Sequence, residues 1–283
     1  MIRESQTVIR TVEDKDRNQL ANLIHFGTYV HRHLDWRPPL GWIGYRPFLT
    51  VEMDGRLIAS LACPPDPPKI AWLRVFVCSS HFSQTRAWNL LWPSTKKQLL
   101  EMGVEILAAI PLQKWIRELL REQGFKRTHD VISLSWDRQE ITEQEINPIK
   151  IREMKKEDLP DVLVIDNLAF DPLWQNSAAL LELAFDSANI AMVAINEAGI
   201  AGYQISTPTQ YGIHLGRLAV HPRSQQKGIG FALIRNLQEN FSASQSGRVS
   251  VNTQSTNIGS LSLYHKAGFI ETGETLPVFQ YTF

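Results

Sequence analysis

Hydrophobic and polar residues follow two different periods along the chain. Residues 214–220 and 249–252 have the pattern of strands, whereas residues 231–237 place apolar side chains at the spacing of an amphipathic helix. Residues 51–61 and 193–203 each contain two apolar runs separated by a short polar turn, which predicts two consecutive strands. The pattern predicts a chain in which helices and strands alternate.

The same pattern occurs twice. Ile9, with the acidic stretch and apolar segment that follow it, recurs at Ile151, an offset of 142 residues, and the two strand pairs stand at the same offset. Gly124 then matches Gly268 at an offset of 144. Because the matches keep their order and spacing, we predict two copies of one fold; two unrelated α/β domains with similar turns are the alternative.

A polar stretch that ends at Pro148 separates the copies, as expected of a linker. We predict a first domain at 1–138, a linker at 139–147 and a second domain at 148–283. Within each copy the order is strand, helix, a variable segment, three strands, helix, strand, helix and closing strands. This order predicts an α/β fold with a mixed sheet and helices on both faces.

Length and composition are consistent with two globular domains, since the chain has 283 residues. The 29 basic and 29 acidic residues balance, which disfavours nucleic acid or a membrane surface as the main partner. Cys63 and Cys78 are too few for a disulfide framework and lack zinc-ligand spacing, so we expect a reducing compartment and no metal. Without a signal-peptide or membrane-spanning pattern, we expect a cytoplasmic protein.

A glycine-rich turn follows the strand at 214–220. Residues 225–230 read Gln-Gln-Lys-Gly-Ile-Gly and lead directly into the helix at 231–237. Glycines at a helix N-terminus expose unpaired backbone N–H groups and leave room for a phosphate. The turn predicts a pyrophosphate site, although an ordinary helix cap has the same composition.

A second motif comprises Asn257, Ser260, Tyr264 and the pair Gly268-Phe269. Together the two motifs resemble those of the GNAT superfamily, in which the loop holds the coenzyme A pyrophosphate and the Asn lies along the pantetheine arm. The resemblance covers nearly all of 148–283. It implies an acetyl-CoA-dependent N-acetyltransferase, and it implies two tandem GNAT-like domains, each with a mixed, mostly antiparallel sheet flanked by helices. The cofactor-binding residues implied are Leu218, Ala219, Val220, Gln225, Gln226, Lys227, Gly228, Ile229, Gly230, Asn257, Ser260 and Tyr264.

The first copy lacks these motifs. At the corresponding positions Arg86 replaces Gly228, Trp88 replaces Gly230 and Leu120 replaces Tyr264. Large side chains would occupy the space of a pyrophosphate, so we expect this degenerate copy not to bind acyl-CoA in the usual way.

Tyr264 and His214 are the candidate catalytic residues. Tyr264 matches the family's general acid, and a phenol stays protonated at neutral pH. His214 occupies the position of the glutamate base of the histone-acetylating branch, whereas the branch that acts on protein N-termini has its glutamate where this chain has Asn252. A packed tyrosine and a structural histidine are the alternatives, and Asp171 is a second candidate base.

No cysteine lies in the second copy, so we expect the amine to attack directly in a ternary complex. The acceptor is a small-molecule or peptide amine, and the sequence leaves a homodimer open. A non-catalytic acyl-CoA-binding regulatory module is one alternative function. An interaction protein that docks through the aromatic and proline-rich residues 29–42 is another.

Overall fold

The computed structural model describes residues 7–137, 149–244 and 247–283. Their contacts divide the chain into two compact units. The first unit runs to Thr128 and also contains Pro277–Phe283, and the second unit comprises His129–Leu276. The predicted linker at 139–147 lies outside the described residues.

The first unit contains ten elements before its C-terminal segment: β1 (Thr7–Thr11), α1 (Arg17–Phe26), β2 (Tyr29–Arg32), β3 (Phe48–Met53), β4 (Arg56–Ala62), β5 (Ile70–Trp72), β6 (Val75–Cys78), α2 (Gln84–Glu101), β7 (Ile106–Ala109) and α3 (Lys114–Glu122). Five strands form an antiparallel sheet in the order β1-β3-β4-β6-β2. Strand β5 pairs in parallel with β7. The core contains Phe76 and Trp88, whose rings meet edge to face.

The second unit is built from β8 (Lys126–Trp136), β9 (Lys150–Glu153), α4 (Leu159–Ala169), α5 (Ala178–Asp186), β10 (Ile190–Asn196), β11 (Gly199–Thr209), β12 (Gly212–Val220), α6 (Ile229–Ser244), β13 (Arg248–Gln254), α7 (Ile258–Lys266) and the first part of β14 (Ile270–Thr282). Its strands follow the order β8-β13-β12-β11-β10-β9. Only β12 and β13 run in parallel among these neighbours. The prediction of a mixed, mostly antiparallel sheet flanked by helices is confirmed.

Both units take a strand segment from beyond the predicted domain boundaries. Residues 131–136 of β8 pair with β13 in the second unit. Residues 279–282 of β14 pair with β7 in the first unit. The units therefore differ from the predicted 1–138 and 148–283, because a closing strand belongs with the sheet that it pairs with and not with its neighbours in sequence.

The internal repeat is visible in an ion pair that occurs at the same place in each unit. Arg10 donates to both carboxylate oxygens of Asp16, over 2.6 and 2.8 Å, and Arg152 makes the same bonds to Asp158 at the same lengths. Each arginine lowers the pKa of the carboxyl that it contacts. The pair links the first strand of a unit to its first helix, and its offset is again 142 residues.

Strand register repeats as well. The β5–β7 ladder begins at Ile70 and Ile106, and the β12–β13 ladder begins at Gly212 and Arg248, both at the offset of 142. The two units therefore share strand pairing as well as element order. Within the described ranges, no helix is long and apolar enough to cross a membrane.

Candidate functional site

Strands β12 and β13 separate partway along their length. They pair from Gly212 only as far as Leu215, although β12 continues to Val220 and β13 to Gln254. The register between β11 and β12 shifts at the same place, which leaves Gly216 as a bulge. Over 216–220, one edge of β12 has no partner strand among the described residues, and a cleft opens between the two strands.

Alternation along β12 decides which backbone groups face this cleft. His221 N donates to Ala201 O over 2.8 Å, so Ala219 also bonds towards β11, because antiparallel ladders bond at alternate residues. Leu218 and Val220 then direct their N–H and C=O groups to the open edge. Two of the three strand residues predicted to bind the cofactor thus face the cleft, whereas the backbone of Ala219 faces away from it.

The glycine-rich loop lies at the end of the open edge. It places Gly228 at φ 83° immediately before α6, and the first bond of that helix runs from Ala232 N to Gly228 O over 2.9 Å. The preceding N–H groups of the first turn have no acceptor within the helix. Residues 225–228 are exposed. Unpaired donors at an accessible helix N-terminus suit a pyrophosphate.

Two side chains of this loop bond to its own backbone. Gln225 Nε2 donates to Val220 O over 3.1 Å, and Lys227 Nζ donates to Arg223 O over 3.0 Å. Ile229 is buried in a cluster with Leu233. These contacts hold the loop in shape, so any contact with a phosphate falls chiefly to its backbone.

Helix α7 begins at the predicted Asn. Asn257 Oδ1 accepts from Ser260 N over 3.1 Å as the N-cap of the helix, and its Nδ2 donates to Gln254 Oε1 over 3.3 Å. The structure brings Asn257 and Ser260 together through this cap, which fixes where α7 leaves β13.

Tyr264 projects from α7 into the core of the second unit. Its side chain is buried, with its ring centroid 5.7 Å from that of Phe269. Burial raises the pKa of the phenol above its usual value, and the charge of Arg217 opposes this shift. The hydroxyl has no hydrogen-bond partner among the described residues, so the alternative of a locally paired tyrosine does not apply.

His214 lies next to the point where β12 and β13 separate. Its Nδ1 is 3.0 Å from Ser250 Oγ on β13, and burial lowers the pKa of the imidazole. The neighbouring Leu215 packs in the same cluster as Tyr264. Because successive side chains of a strand point to opposite faces, the structure places His214 and Tyr264 on opposite faces of the sheet.

The sequence analysis missed a buried charged cluster on the face that carries His214. Asp166 on α4 is fully buried and accepts from Tyr203 Oη over 2.5 Å, and from Arg217 Nε and Nη2 over 2.6 and 2.8 Å. The segment after α4 closes the cluster, since Arg217 Nη2 donates to Trp174 O over 2.6 Å and Asn176 N donates to Asp166 Oδ1 over 3.0 Å. The ion pair therefore holds residues 174–176 against β12.

A signal for this cluster was present in the sequence. Asp166 interrupts the apolar face of α4, and Arg217 interrupts the apolar run of β12. Charged residues at core positions are paired when they are buried, so two opposite charges in one domain predict each other. The guanidinium of Arg217 also stacks on Phe170, 3.5 Å from the ring centroid. Asp171, the second candidate base, is exposed.

Residues 166–278 match the family model described as an acetyltransferase (GNAT) domain. The match covers α4, the separated strands, the glycine-rich loop and α7, which are the elements of the site. This part of the chain belongs to the GNAT acetyltransferase family, whose members transfer acyl groups from acyl-CoA. No curated protein matches the sequence.

Solved structures with similar folds cover nearly the whole chain. A GCN5-related N-acetyltransferase from Sphaerobacter thermophilus is 14% identical over 98% of this chain and 95% of its own, with a TM-score of 0.63. A tandem GNAT protein from the clavulanic acid biosynthesis pathway is also 14% identical, over 99% and 98%, with the same TM-score. A GCN5-related N-acetyltransferase from Kribbella flavida is 13% identical over 98% and 71%, with a TM-score of 0.71. At these identities the likeness establishes the tandem GNAT fold.

Asp166→Asn should destabilise the second unit strongly. The substitution leaves the buried guanidinium of Arg217 without a counter-charge, which costs about 3 kcal/mol or more of unfolding free energy. Asp161→Asn, on the exposed side of the same helix, should cost only about 0.5 kcal/mol. Urea unfolding followed by circular dichroism measures both. Equal transition midpoints for the two variants would contradict the role given to the ion pair.

Proposed function

We propose that this protein transfers an acetyl group from acetyl-CoA to a primary amine, carried by a small molecule or a peptide, in its second unit. The observation that carries the proposal is the open edge of β12 at Leu218 and Val220, which leads directly to the exposed loop at 225–230. Unpaired backbone groups along a strand suit the amides of a pantetheine arm. The helix N-terminus at the end of the strand suits the pyrophosphate that follows the arm.

One acyl-CoA site per chain is proposed, because the equivalent edge in the first unit is closed. Strand β6 stands at the offset of 142 from 217–220, and β2 pairs with its free edge from Tyr29 to Arg32. Trp88, at the position of Gly230, is fully buried in the core and cannot leave space for a phosphate.

In the proposed reaction the amine nitrogen attacks the thioester carbonyl, a C–N bond forms and the C–S bond breaks. The backbone N–H groups at the open edge polarise the carbonyl oxygen. His214 takes the proton that the amine loses, directly or through water, and Tyr264 donates its phenolic proton to the departing thiolate. Acid and base on opposite faces of the sheet suit a reaction in which the amine and coenzyme A occupy opposite sides of the carbonyl.

A covalent acyl-cysteine step is not part of this mechanism. Cys63 and Cys78 both lie in the first unit, and both are buried. Burial raises the pKa of Cys78 to about 11 and that of Cys63 further, so both thiols stay protonated at neutral pH.

A non-catalytic acyl-CoA-binding module is the alternative function. Asn252 favours it, because this position carries a carboxylate base in the branch that acts on protein N-termini. The unpaired hydroxyl of Tyr264 disfavours it, because a purely structural tyrosine would gain from a partner. Release of free CoA from acetyl-CoA with a panel of peptides, polyamines and amino sugars separates the two functions.

Gly228→Trp should weaken acetyl-CoA binding by about tenfold or more, because the indole would fill the phosphate position at the helix N-terminus. Gly273→Trp is a matched control, since Gly273 has φ 82° against 83° at Gly228 and lies in a turn of β14 with open space around it. It introduces the same backbone strain away from the loop. Calorimetry on both variants measures the effect, and equal affinities or two sites per wild-type chain would refute the assignment.

Tyr264→Phe should lower kcat by about 100-fold or more and leave the acetyl-CoA dissociation constant nearly unchanged, because the phenolic proton is needed when the thiolate leaves. Tyr211→Phe, at an exposed tyrosine of the same unit, should leave turnover at the wild-type value. Single-turnover kinetics would show the loss in the chemical step. Wild-type single-turnover rates in Tyr264→Phe would exclude the phenol as the acid.

His214 should set the acidic limb of the pH–rate profile. Because burial lowers its pKa, the imidazole is neutral at pH 7, and activity should fall only as the pH drops below the usual histidine value of about 6.5. His214→Ala should remove this limb and about 100-fold of the rate at neutral pH, whereas His265→Ala should keep both. If His214→Ala retains the limb and the rate while it melts normally, His214 only packs and the base lies elsewhere.

A further inference from the structure

A cavity of about 300 Å³ lies in the first unit, at the position that corresponds to the acyl-CoA cleft of the second. It is lined by residues 30–35 and 37–39 together with Leu112, Gln113 and Ile116. Gln113 is the N-cap residue of α3, as Asn257 is of α7, at an offset of 144. The volume is at the lower end of the range for small-molecule sites.

Acyl-CoA does not suit this cavity. In the first unit β2 occupies the strand edge that is open in the second, through the pairs from Tyr29–Cys78 to Arg32–Val75. The cavity lies on the far side of this added strand, and its lining residues are those that follow β2 in the chain. The degenerate copy has therefore lost one site and has a different concave surface in the same region.

Arg37 supplies a positive charge that the protein itself does not neutralise. Its guanidinium carbon lies 4.8 Å from the ring centroid of Trp42 and 4.7 Å from that of Tyr45, which fixes its position. Its Nε is buried and has no acceptor among the described residues. A buried, oriented guanidinium without an acceptor is prepared for a ligand that supplies one.

His33 is a second unpaired group in the lining. Its ring stacks on Trp72 at a centroid distance of 4.7 Å, and its Nδ1 is buried without a partner in the described ranges. Burial lowers the pKa of His33 well below the usual value. The ring is therefore neutral and offers one N–H donor to a bound group.

The remaining polar groups leave the lining positive. The carboxylate of Asp35 is occupied, because it accepts from Arg74 Nη1 over 2.8 Å and from the backbone N of Arg37. His31 Nε2 is 3.0 Å from Leu73 O, and Arg32 is exposed at the rim. No acidic side chain of the lining is left to neutralise Arg37.

The other walls are apolar. Val30, Leu34, Pro38, Pro39, Leu112 and Ile116 contribute them. We propose that the first unit binds a small organic carboxylate in this cavity, with the carboxylate on Arg37 and His33 and its hydrocarbon part against the apolar walls. An Arg guanidinium matches the geometry of a carboxylate, and the apolar walls favour an organic acid over inorganic phosphate.

Calorimetry on the full chain with hexanoate and benzoate tests the proposal, with hexanamide and benzamide as uncharged controls of the same shape. The acids should bind at least about tenfold more tightly than the amides, because only the acids supply a charged acceptor. Arg37→Gln should remove this preference. Arg56→Gln, at an exposed arginine outside the cavity, should keep it.

A second variant keeps the test valid if Arg37→Gln does not fold. Leu112→Trp, at a half-exposed lining residue, leaves every charge in place and fills the cavity, so it should abolish hexanoate binding. Gly228→Trp should leave hexanoate binding unchanged, which separates this site from the acetyl-CoA site. Equal binding of acid and amide, tighter binding of inorganic phosphate, or wild-type hexanoate affinity in Leu112→Trp would overturn the proposal.

Discussion

The structure depends on how the polar groups along one strand edge are satisfied. A strand carries N–H and C=O groups on both edges, and each needs a partner. In the second unit the partner strand β13 diverges from β12 after Leu215, so the edge at Leu218 and Val220 stays open to a ligand. In the first unit β2 closes the equivalent edge of β6. One fold therefore gives an open cleft in one copy and a closed sheet in the other.

The bulge at Gly216 and the ion pair beyond it keep this edge in place. The bulge shifts the register of β12 against β11, and Arg217 then points to α4, where Asp166 accepts from it twice. Two buried charges are costly unless their remaining hydrogen-bonding groups are satisfied. Tyr203 and the backbone N of Asn176 complete the shell of the carboxylate. The cluster thus fixes both the separating strand and the segment over the face that carries His214.

Much of the fold could be predicted from the sequence because the repeat leaves local marks. The offset of 142 residues found at Ile9 and Ile151 also relates the ion pairs of Arg10 and Arg152 and the first pairs of the parallel ladders. The loop at 225–230 was recognisable because glycine spacing and helix periodicity are local signals. The positions of β2 and of the closing strands β8 and β14 were not predictable, because pairing along a sheet edge is decided by contacts between residues far apart in sequence.

The first unit shows what closing a cleft does to the residues that once faced it. With β2 in the sheet, the position of Gly230 carries Trp88, which stacks on Trp92 and packs edge to face on Phe76, so space for a phosphate has become core. The chain after β2 must still turn away from the sheet, and it does so through residues 33–39, whose charged and aromatic side chains surround a cavity near the start of α3. Core packing explains Trp88. It does not explain an oriented guanidinium without an acceptor at Arg37, since a residue selected only for packing would gain from a neutral side chain or a paired charge.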